Sequence, residues 1–203
     1  MEVKCRRLEG KVAVVTASTQ GIGLAIAERL GLEGAAVVIS SRKQKNVDEA
    51  VEGLKAKGIT VVGGRLPRLR RPAAQEPHRH GRQEALPRTR KDEFIVGKAL
   101  ALTDAALNEN FGHIDILVSN AAANPTVDDI LATKESDAAP YLRKGSSVII
   151  ISSITGYNPE QGLAMYGVTK TALFGLTKAL AREMGPNTRV NCIAPGFVSY
   201  TVC

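Results

Sequence analysis

The sequence predicts an α/β fold, in which a parallel β-sheet lies between layers of helices. Two observations support this prediction. Short runs of apolar and β-branched residues recur along the chain, as expected for strands buried on both faces of a sheet. Most of these runs are followed by a segment with the apolar spacing of an amphipathic helix, an alternation typical of βαβ units. The length of 203 residues is enough for one substantial core, so we expect residues 1–203 to form a single domain.

The first half of the pattern contains three strands and two helices. Lys11 to Thr16 is predicted to be a buried strand, and a helix from about Ile22 to Glu33 follows it. Gly34 ends this helix, and Gly58 ends the next one. The other elements predicted here are a strand at 35–40, a helix at 46–57 and a strand that begins at 59–62.

The second half repeats the alternation. Its strongest element is a helix from Leu163 to Met184, which the pair Gly185-Pro186 ends. The stretch 124–145 contains two prolines and has room for only a brief helix. The other elements predicted in this half are strands at 114–119, 148–153 and 189–194, and helices at 94–110 and about 127–137.

Between these halves the pattern fails, over residues 64–93. Residues 65–91 hold eight arginines and one lysine against two glutamates, which accounts for the whole net charge of +7. With four prolines and no apolar period, the segment is predicted to be a disordered or long-loop insertion. A basic arm for nucleic acid is the alternative, but no aromatic residue is interleaved for base stacking, so we expect no nucleic-acid partner. His78 and His80 alone are weak grounds for a metal site, and none is predicted.

The composition predicts a soluble protein. Hydrophobic residues make up 44% of the chain, and no run of about 18 apolar residues indicates a membrane span. The charged start, Met1 to Gly10, lacks the apolar region of a secretory signal. Three cysteines without metal-like spacing fit a reducing compartment. We therefore expect a cytoplasmic chain with no membrane partner.

The turn after the first strand predicts a nucleotide site. It reads Ala17-Ser18-Thr19-Gln20-Gly21-Ile22-Gly23 and opens a helix. Glycines let the backbone approach a pyrophosphate, and the helix N-terminus offers N–H donors and partial positive charge. The alternative is a tight turn whose glycines serve only packing. Its position in the first βαβ unit favours the nucleotide, with Ala17, Ser18, Gly21, Ile22 and Gly23 as candidate cofactor-binding residues.

The end of the second strand bears on which cofactor binds. An acidic residue there would bind the ribose 2′-hydroxyl of NAD, but the chain has Ser40-Ser41-Arg42-Lys43. A hydroxyl and a guanidinium suit a 2′-phosphate, so Ser41 and Arg42 predict a preference for NADP(H) over NAD(H). The alternative is a solvated basic loop.

A candidate proton-transfer centre lies in the long helix. Tyr166 and Lys170 are four residues apart and so share one helical face. An adjacent ammonium favours the tyrosinate and lowers the phenol's pKa, which suits proton exchange near neutral pH. Ser153 ends a predicted strand and can present a hydroxyl to the same carbonyl oxygen. A Tyr-x-x-x-Lys pair alone is common on helix surfaces, so the other motifs must decide.

Taken in order, these motifs resemble the short-chain dehydrogenase/reductases. The order is the Gly-rich turn, Asn120-Ala121-Ala122, Ser153, Tyr166-x-x-x-Lys170 and Pro195-Gly196. Three segments are especially similar to the member 4 carbonyl reductases of that family and to their plant peroxisomal relatives. These segments are SSRKQKNVDEA, DILVSNAAANP and YGVTKTALFGLTKALA. The resemblance covers residues 1–62 and 113–198, which is 148 of 203 residues.

The resemblance implies a Rossmann-like, doubly wound sheet and the NADPH-dependent reduction of a small carbonyl compound to an alcohol. By the family pattern, Tyr166 would donate the proton, Lys170 would lower its pKa and bind the nicotinamide ribose, and Ser153 would hold the substrate oxygen. The remaining implied cofactor-binding residues are Asn120 and Ala121 after the fourth strand and Pro195, Gly196 and Val198 around the nicotinamide.

The sequence also departs from the family pattern. Ala17 stands where the family has the first turn glycine, and the family's catalytic Asn in the crossover helix has no counterpart. We therefore expect an incomplete sheet, with the crossover helix before strand five shortened and the last strand missing. Thr201-Val202-Cys203 is not a peroxisomal signal, although intact relatives are peroxisomal.

One hypothesis links these departures, namely a frameshifted or mis-spliced transcript, because residues 65–84 read in another frame resemble the family. The alternative function is then an inactive truncated product, either a partial cofactor binder or a chain that does not fold. The resemblance implies the homo-oligomer typical of the family, although its contacts often come from the crossover helix and the C-terminus, where this sequence departs from the family pattern.

Overall fold

The computed structural model describes residues 6–65, 110–120 and 141–198, and these form a six-stranded sheet with helices on both faces. The strands are β1 Val12–Val15, β2 Ala36–Ser41, β3 Val61–Arg65, β4 Ile114–Ser119, β5 Leu142–Ile151 and β6 Thr188–Ile193. The helices are α1 Gly21–Leu32, α2 Gln44–Ala56 and α3 Ala164–Met184, with a short 3-10 helix at Ile154–Gly156.

All neighbouring strands are parallel, in the order β3-β2-β1-β4-β5-β6. The chain moves outward from β1 to β3 and then crosses to β4 on the other side of β1. The strand order therefore reverses between β1 and β4, and ligands of open α/β sheets bind at such a point, beyond the carboxyl ends of the strands. This arrangement confirms the predicted doubly wound parallel sheet.

Two apolar clusters cover the two faces of the sheet. All four residues of β1 are buried. Because alternate residues of a strand point to opposite sides, β1 is covered on both faces of the sheet. On one face α1 and α2 contribute Ala27, Ala50 and Leu54, which pack against Ala13, Val15, Val37 and Ile39. On the other face Leu180 of α3 packs against Val12, Val14, Val148 and Val190. The continuous apolar runs seen in the sequence follow from this double burial.

Two strands differ from the prediction. β3 continues to Arg65, so Gly64 and Arg65 belong to the sheet and not to the basic segment 64–93. Gly63 makes this continuation feasible, because a Cβ there would lie 2.3 Å from Val47 Cγ1 of α2. β5 begins at Leu142, six residues before the predicted start, because Leu142 pairs with Ile114 of β4 and an irregularity in the register accommodates the polar residues that follow it.

Several predictions fall outside the described residues. These are the helix at 94–110 except its last residue, the brief helix at 127–137, Ala121 and the basic segment beyond Arg65. Within the described ranges, no helix is long and apolar enough to cross a membrane. The same ranges contain no group of three or more His, Cys, Asp or Glu side chains that could hold a metal ion.

A buried carboxylate joins three strands at the amino-terminal edge of the sheet. The Asp115 side chain is 7% exposed and accepts hydrogen bonds from the Val12 N–H at 2.9 Å and from Lys11 Nζ at 3.3 Å. Arg143 Nε of β5 donates to the same carboxylate at 3.2 Å. Burial raises the pKa of Asp115, but the Val12 N–H and these cations outweigh it, so the net pKa lies below the ordinary value of 3.8.

Candidate active site

The predicted site residues that the structure describes converge on the carboxyl edge of the sheet. Each group follows the end of a strand, and parallel strands end at the same edge. The turn Ala17–Gly23 follows β1, Ser41 ends β2, Asn120 follows β4, Ser153 follows β5 and Pro195 follows β6. The site therefore spans the point between β1 and β4 where the strand order reverses.

The turn after β1 is built on an unusual backbone. Ala17 has a φ of 50°, in the left-handed region that costs a non-glycine residue energy, and Gly21 has a φ of 57°. Ser18 is fully buried, and its Oγ donates to the Val15 carbonyl at 2.5 Å and accepts from the Ser40 N–H at 3.1 Å. The Ser18 hydroxyl is thus used inside the protein, where it ties the turn to the end of β2.

Helix α1 starts against this turn. Gly23 is buried, and a Cβ on it would lie 2.5 Å from both the Ala17 carbonyl oxygen and Asn120 Nδ2. The first turn of α1, with Gly21 and the half-buried Ile22, contains no acidic residue, and no side chain caps it. Its first N–H groups are therefore donors suited to an anion such as a pyrophosphate.

Asn120 fastens β4 to the same turn. Its backbone N–H donates to Thr16 Oγ1 at 2.9 Å, and its Nδ2 donates to the carbonyls of Thr16 at 3.3 Å and Ala17 at 3.1 Å. The Thr16 N–H in turn donates to the Val118 carbonyl at 3.0 Å. These bonds hold the two strands that flank the reversal point at a fixed separation. Ala121, the neighbouring predicted residue, lies outside the described ranges.

Ser153, Tyr166 and Lys170 lie where β5 meets α3. Ser153 is half-buried just beyond β5, and its Oγ accepts the Thr155 N–H at 3.2 Å to start the 3-10 helix. Tyr166 is half-buried in the first turn of α3. Lys170, one turn later, is 6% exposed, and its Nζ lies 5.5 Å from the centroid of the Tyr166 ring. The tyrosine and lysine therefore share one face of the helix.

The environment of Lys170 is unusual for a lysine. Its Nζ donates to the Ile151 carbonyl at 3.0 Å. Burial lowers the pKa of Lys170 from its ordinary value of 10.5, and the nearby thiol of Cys192 partly opposes that change. A buried cation without an anionic partner is costly, and such groups cluster at functional sites.

Two further hydroxyls hold the first half of α3 to the segment that follows β5. The buried Ser152 donates through Oγ to the Lys170 carbonyl at 2.8 Å, and Thr171 Oγ1 donates to the Gly156 carbonyl at 2.7 Å. Both neighbour a predicted catalytic residue in sequence, Ser153 or Lys170, and sequence reasoning missed them. Only their adjacency to those residues could have drawn attention to them.

The turn after β6 completes this edge. The Ile154 N–H donates to the Pro195 carbonyl at 3.0 Å, so the chain after Ser153 and the chain after β6 lie side by side. A Cβ on Gly196 would lie 3.8 Å from Ile154 Cδ1. Beyond it, Phe197 is 90% and Val198 is 47% exposed, which gives this edge an apolar surface.

The geometry combines a turn with free helix N–H donors, suited to an anion, with a phenol, an ammonium and a hydroxyl. The phenol of Tyr166 can exchange a proton, while Lys170 supplies positive charge beside it and Ser153 supplies a hydrogen-bonding hydroxyl. This set suits proton transfer to an oxygen atom next to a bound nucleotide cofactor.

Comparisons with known proteins agree with this geometry. Residues 11–66 match the family profile described as short chain dehydrogenase, and residues 131–202 match the profile described as Enoyl-(Acyl carrier protein) reductase. Tropinone reductase-like 3 of Erythroxylum coca is 54% identical over 95% of this chain and 72% of its own length. The short-chain dehydrogenase/reductase SDRA of Arabidopsis thaliana is 51% identical over 95% of this chain and 73% of its own length.

Solved structures show the same fold. L-Sorbose reductase from Gluconobacter frateurii, complexed with NADPH and L-sorbose, superposes with a TM-score of 0.69 at 30% identity, over 95% of this chain and 71% of that chain. A short-chain dehydrogenase from Burkholderia cenocepacia, in complex with NADP, has a TM-score of 0.68 at 30% identity, over 94% of this chain and 75% of that chain. These matches confirm the resemblance found in the sequence: the chain belongs to the short-chain dehydrogenase/reductase family, whose members are oxidoreductases that bind NAD(P).

Proposed function

We propose that this chain reduces a small ketone or aldehyde to an alcohol, with NADPH as the preferred cofactor. The observation that carries the proposal is the placement of Tyr166, Lys170 and Ser153 at one strand–helix junction, at the same edge of the sheet as the turn after β1. The names of two similar proteins, a tropinone reductase-like protein and an L-sorbose reductase, support the direction and the substrate class.

The described residues fit the cofactor. A pyrophosphate would lie on the N-terminus of α1, where the absence of a side chain at Gly23 lets the helix approach the turn closely. Asn120 would hold the shape of that turn, and Ser41 and Arg42 would bind the 2′-phosphate of the adenosine ribose. The nicotinamide end would lie near the turn after β6, at Pro195, Gly196 and Val198.

In the reaction, the protein's residues position and protonate the substrate oxygen. Ser153 donates a hydrogen bond to the carbonyl oxygen and orients it toward Tyr166. Tyr166 then transfers its phenolic proton to that oxygen, while the charge on Lys170 stabilises the phenolate left behind. Hydride for the carbonyl carbon would come from the nicotinamide of NADPH when the cofactor is bound.

The preference for NADPH rests on the end of β2. Ser41 is half-buried and Arg42 is exposed there, and residues 40–47 include no acid that could bind a ribose diol. Two similar solved structures hold NADPH or NADP, which supports the same assignment.

The test is a comparison of wild type with Tyr166→Phe, read as NADPH oxidation in the presence of a panel of ketones and aldehydes. We expect turnover to fall by roughly 10²–10⁴-fold in the variant, with the NADPH dissociation constant nearly unchanged, because only a proton donor is removed. Tyr157→Phe is the matched control: Tyr157 is 73% exposed and stacks on Phe174, so the loss of its hydroxyl should leave turnover intact.

The result also separates the two functions that the sequence left open. If the wild-type chain binds NADPH but none of the ketones and aldehydes in the panel causes NADPH oxidation, the chain is the inactive cofactor binder. Equal turnover in wild type and Tyr166→Phe would refute the role of the phenol.

A further inference from the structure

We propose that Arg65 is a specificity-determining residue, which binds the 2′-phosphate of NADP(H) together with Arg42. The inference rests on the proposed function, because it assumes a dinucleotide on the turn after β1. It adds a second cation at the end of β3, in the segment that the sequence pattern had assigned to a loop.

Strand register brings Arg65 beside Ser41, at the end of β2 where the 2′-phosphate is proposed to bind. In the parallel pairing of β2 and β3, Ser41 is the direct partner of Arg65. Paired strands lie about 4.8 Å apart, and register partners point to the same face of the sheet. Arg42 follows Ser41 directly, so two guanidinium groups flank one hydroxyl at the carboxyl edge.

The face on which Ser41 and Arg65 lie is the one that α2 covers. Ser41 continues the alternation of Val37 and Ile39, and Arg65 continues that of Val61, all three of which pack in the cluster with α1 and α2. α2 begins three residues after Ser41, at Gln44, so its N-terminus lies beside the same side chains. Its first turn has no acidic residue and no side-chain cap, which leaves backbone N–H groups to bind an anion.

No acidic side chain among the described residues neutralises the positive charge at this position. In residues 6–65, 110–120 and 141–198, neither Arg42 nor Arg65 forms an ion pair. The nearby acids of α2 have partners of their own, since Asp48 accepts from Gln44 Nε2 at 2.8 Å and Glu49 lies 3.7 Å from Lys45 Nζ. The two arginines are therefore available to an external anion.

The chemistry of the donors selects a phosphomonoester. Guanidinium groups, a hydroxyl and helix N–H groups all donate hydrogen bonds, and a phosphate dianion accepts them with suitable fork geometry. A free ribose diol needs an acceptor such as a carboxylate, which residues 40–47 do not offer. The site thus distinguishes NADP(H) from NAD(H) by a single group, the 2′-phosphate.

The test measures dissociation constants of NADP⁺ and NAD⁺ by calorimetry on the full chain, without turnover. We expect Arg65→Gln to weaken NADP⁺ binding by about 10-fold and to leave NAD⁺ binding within about twofold, as for loss of one partly screened charge-assisted contact. Arg42→Gln should act in the same direction. Arg65→Lys should recover part of the loss, because it keeps the charge but not the planar fork.

The matched control is Arg189→Gln. Arg189 is an exposed arginine on β6, the opposite edge strand of the sheet, so its loss changes net charge equally without touching this site. Unchanged NADP⁺ affinity in Arg65→Gln, or an equal loss for NADP⁺ and NAD⁺, would overturn the inference. A chain that prefers NADP⁺ through Arg65 but reduces no carbonyl compound would refute the proposed reaction and still support the phosphate site.

Discussion

Replacing Gly23 by alanine would place a methyl group between α1 and the turn that follows β1. The new Cβ would lie 2.5 Å from the Ala17 carbonyl oxygen, 2.5 Å from Asn120 Nδ2 and 2.9 Å from the Ser18 Cα. Two of these atoms are backbone, so no change of rotamer can relieve the contact. The helix therefore has to move away from the turn, and Asn120 Nδ2 also has to shift from the Thr16 and Ala17 carbonyls that it binds.

Both responses have a cost that the contacts allow us to estimate. Overpacking of a close contact destabilises a protein by about 1–3 kcal/mol, and loss of the Asn120 hydrogen bond adds about 1 kcal/mol. The better helix propensity of alanine offsets up to about 1 kcal/mol of this. We expect a net loss of about 1–4 kcal/mol in the free energy of unfolding, together with at least roughly 10-fold weaker NADPH binding, because the helix N–H groups shift away from the pyrophosphate.

Urea denaturation and NADPH titration on the same preparations measure the two effects. Gly53→Ala, in α2, is the control for helix propensity: nothing lies within 4 Å of a Cβ there, so a gain of about 0.5–1 kcal/mol is expected. Gly31→Ala is the control for strain elsewhere in α1. Its Cβ would lie 2.3 Å from Ile59 Cγ2, so it should destabilise the fold with little effect on NADPH affinity.

A Gly23→Ala variant as stable as Gly53→Ala, with unchanged NADPH affinity, would refute this reasoning. It would mean that α1 does not contact the turn as closely as described. Equal losses of NADPH affinity in Gly23→Ala and Gly31→Ala would show instead that general destabilisation, and not the local contact, weakens binding.

Three further predictions concern buried polar groups. Ser152→Ala should lower turnover by about 10-fold and stability by about 1 kcal/mol, because the Lys170 carbonyl loses its donor; Thr177→Ala removes a comparable bond within α3 and should leave turnover unchanged. Asp115→Asn should cost about 2 kcal/mol at neutral pH. The pKa of Asp115 is below its ordinary value of 3.8, so the carboxylate stabilises the fold above this range and loses that effect as the pH falls through the lowered pKa. Urea midpoints measured at decreasing pH should therefore show the difference between Asp115→Asn and wild type disappear. Glu9→Gln, which removes an exposed ion pair, is the control and should change stability little. Burial lowers the pKa of Lys170 below 10.5, so the unfolded chain binds this proton more tightly than the folded protein does. The free energy of unfolding of the wild type should therefore increase as the pH rises from the lowered pKa to 10.5. Urea titrations at alkaline pH should show no such increase for Lys170→Met.

The local features of this protein follow from its sequence. Buried strands need apolar, β-branched runs, and a pair spaced i, i+4 such as Tyr166 and Lys170 shares a helix face whatever the rest of the chain does. The alternation of such runs with helices predicts a parallel α/β sheet, and the order of short motifs predicts the family, whose resemblance implies the doubly wound arrangement.

Other features depend on contacts between residues that are distant in the chain. Asn120 and Thr16 are 104 residues apart, yet their hydrogen bonds shape the turn after β1. The pairing of Ser41 with Arg65 arises only when β3 lies beside β2. The apolar pattern predicts too early an end for β3, because two glycines interrupt its apolar run. The burial of Lys170 likewise requires α3 to lie on β6 and to bring Nζ to the Ile151 carbonyl at the end of β5. Strand register and burial are properties of the packed sheet, because they depend on which segments become neighbours, and no local pattern encodes that choice.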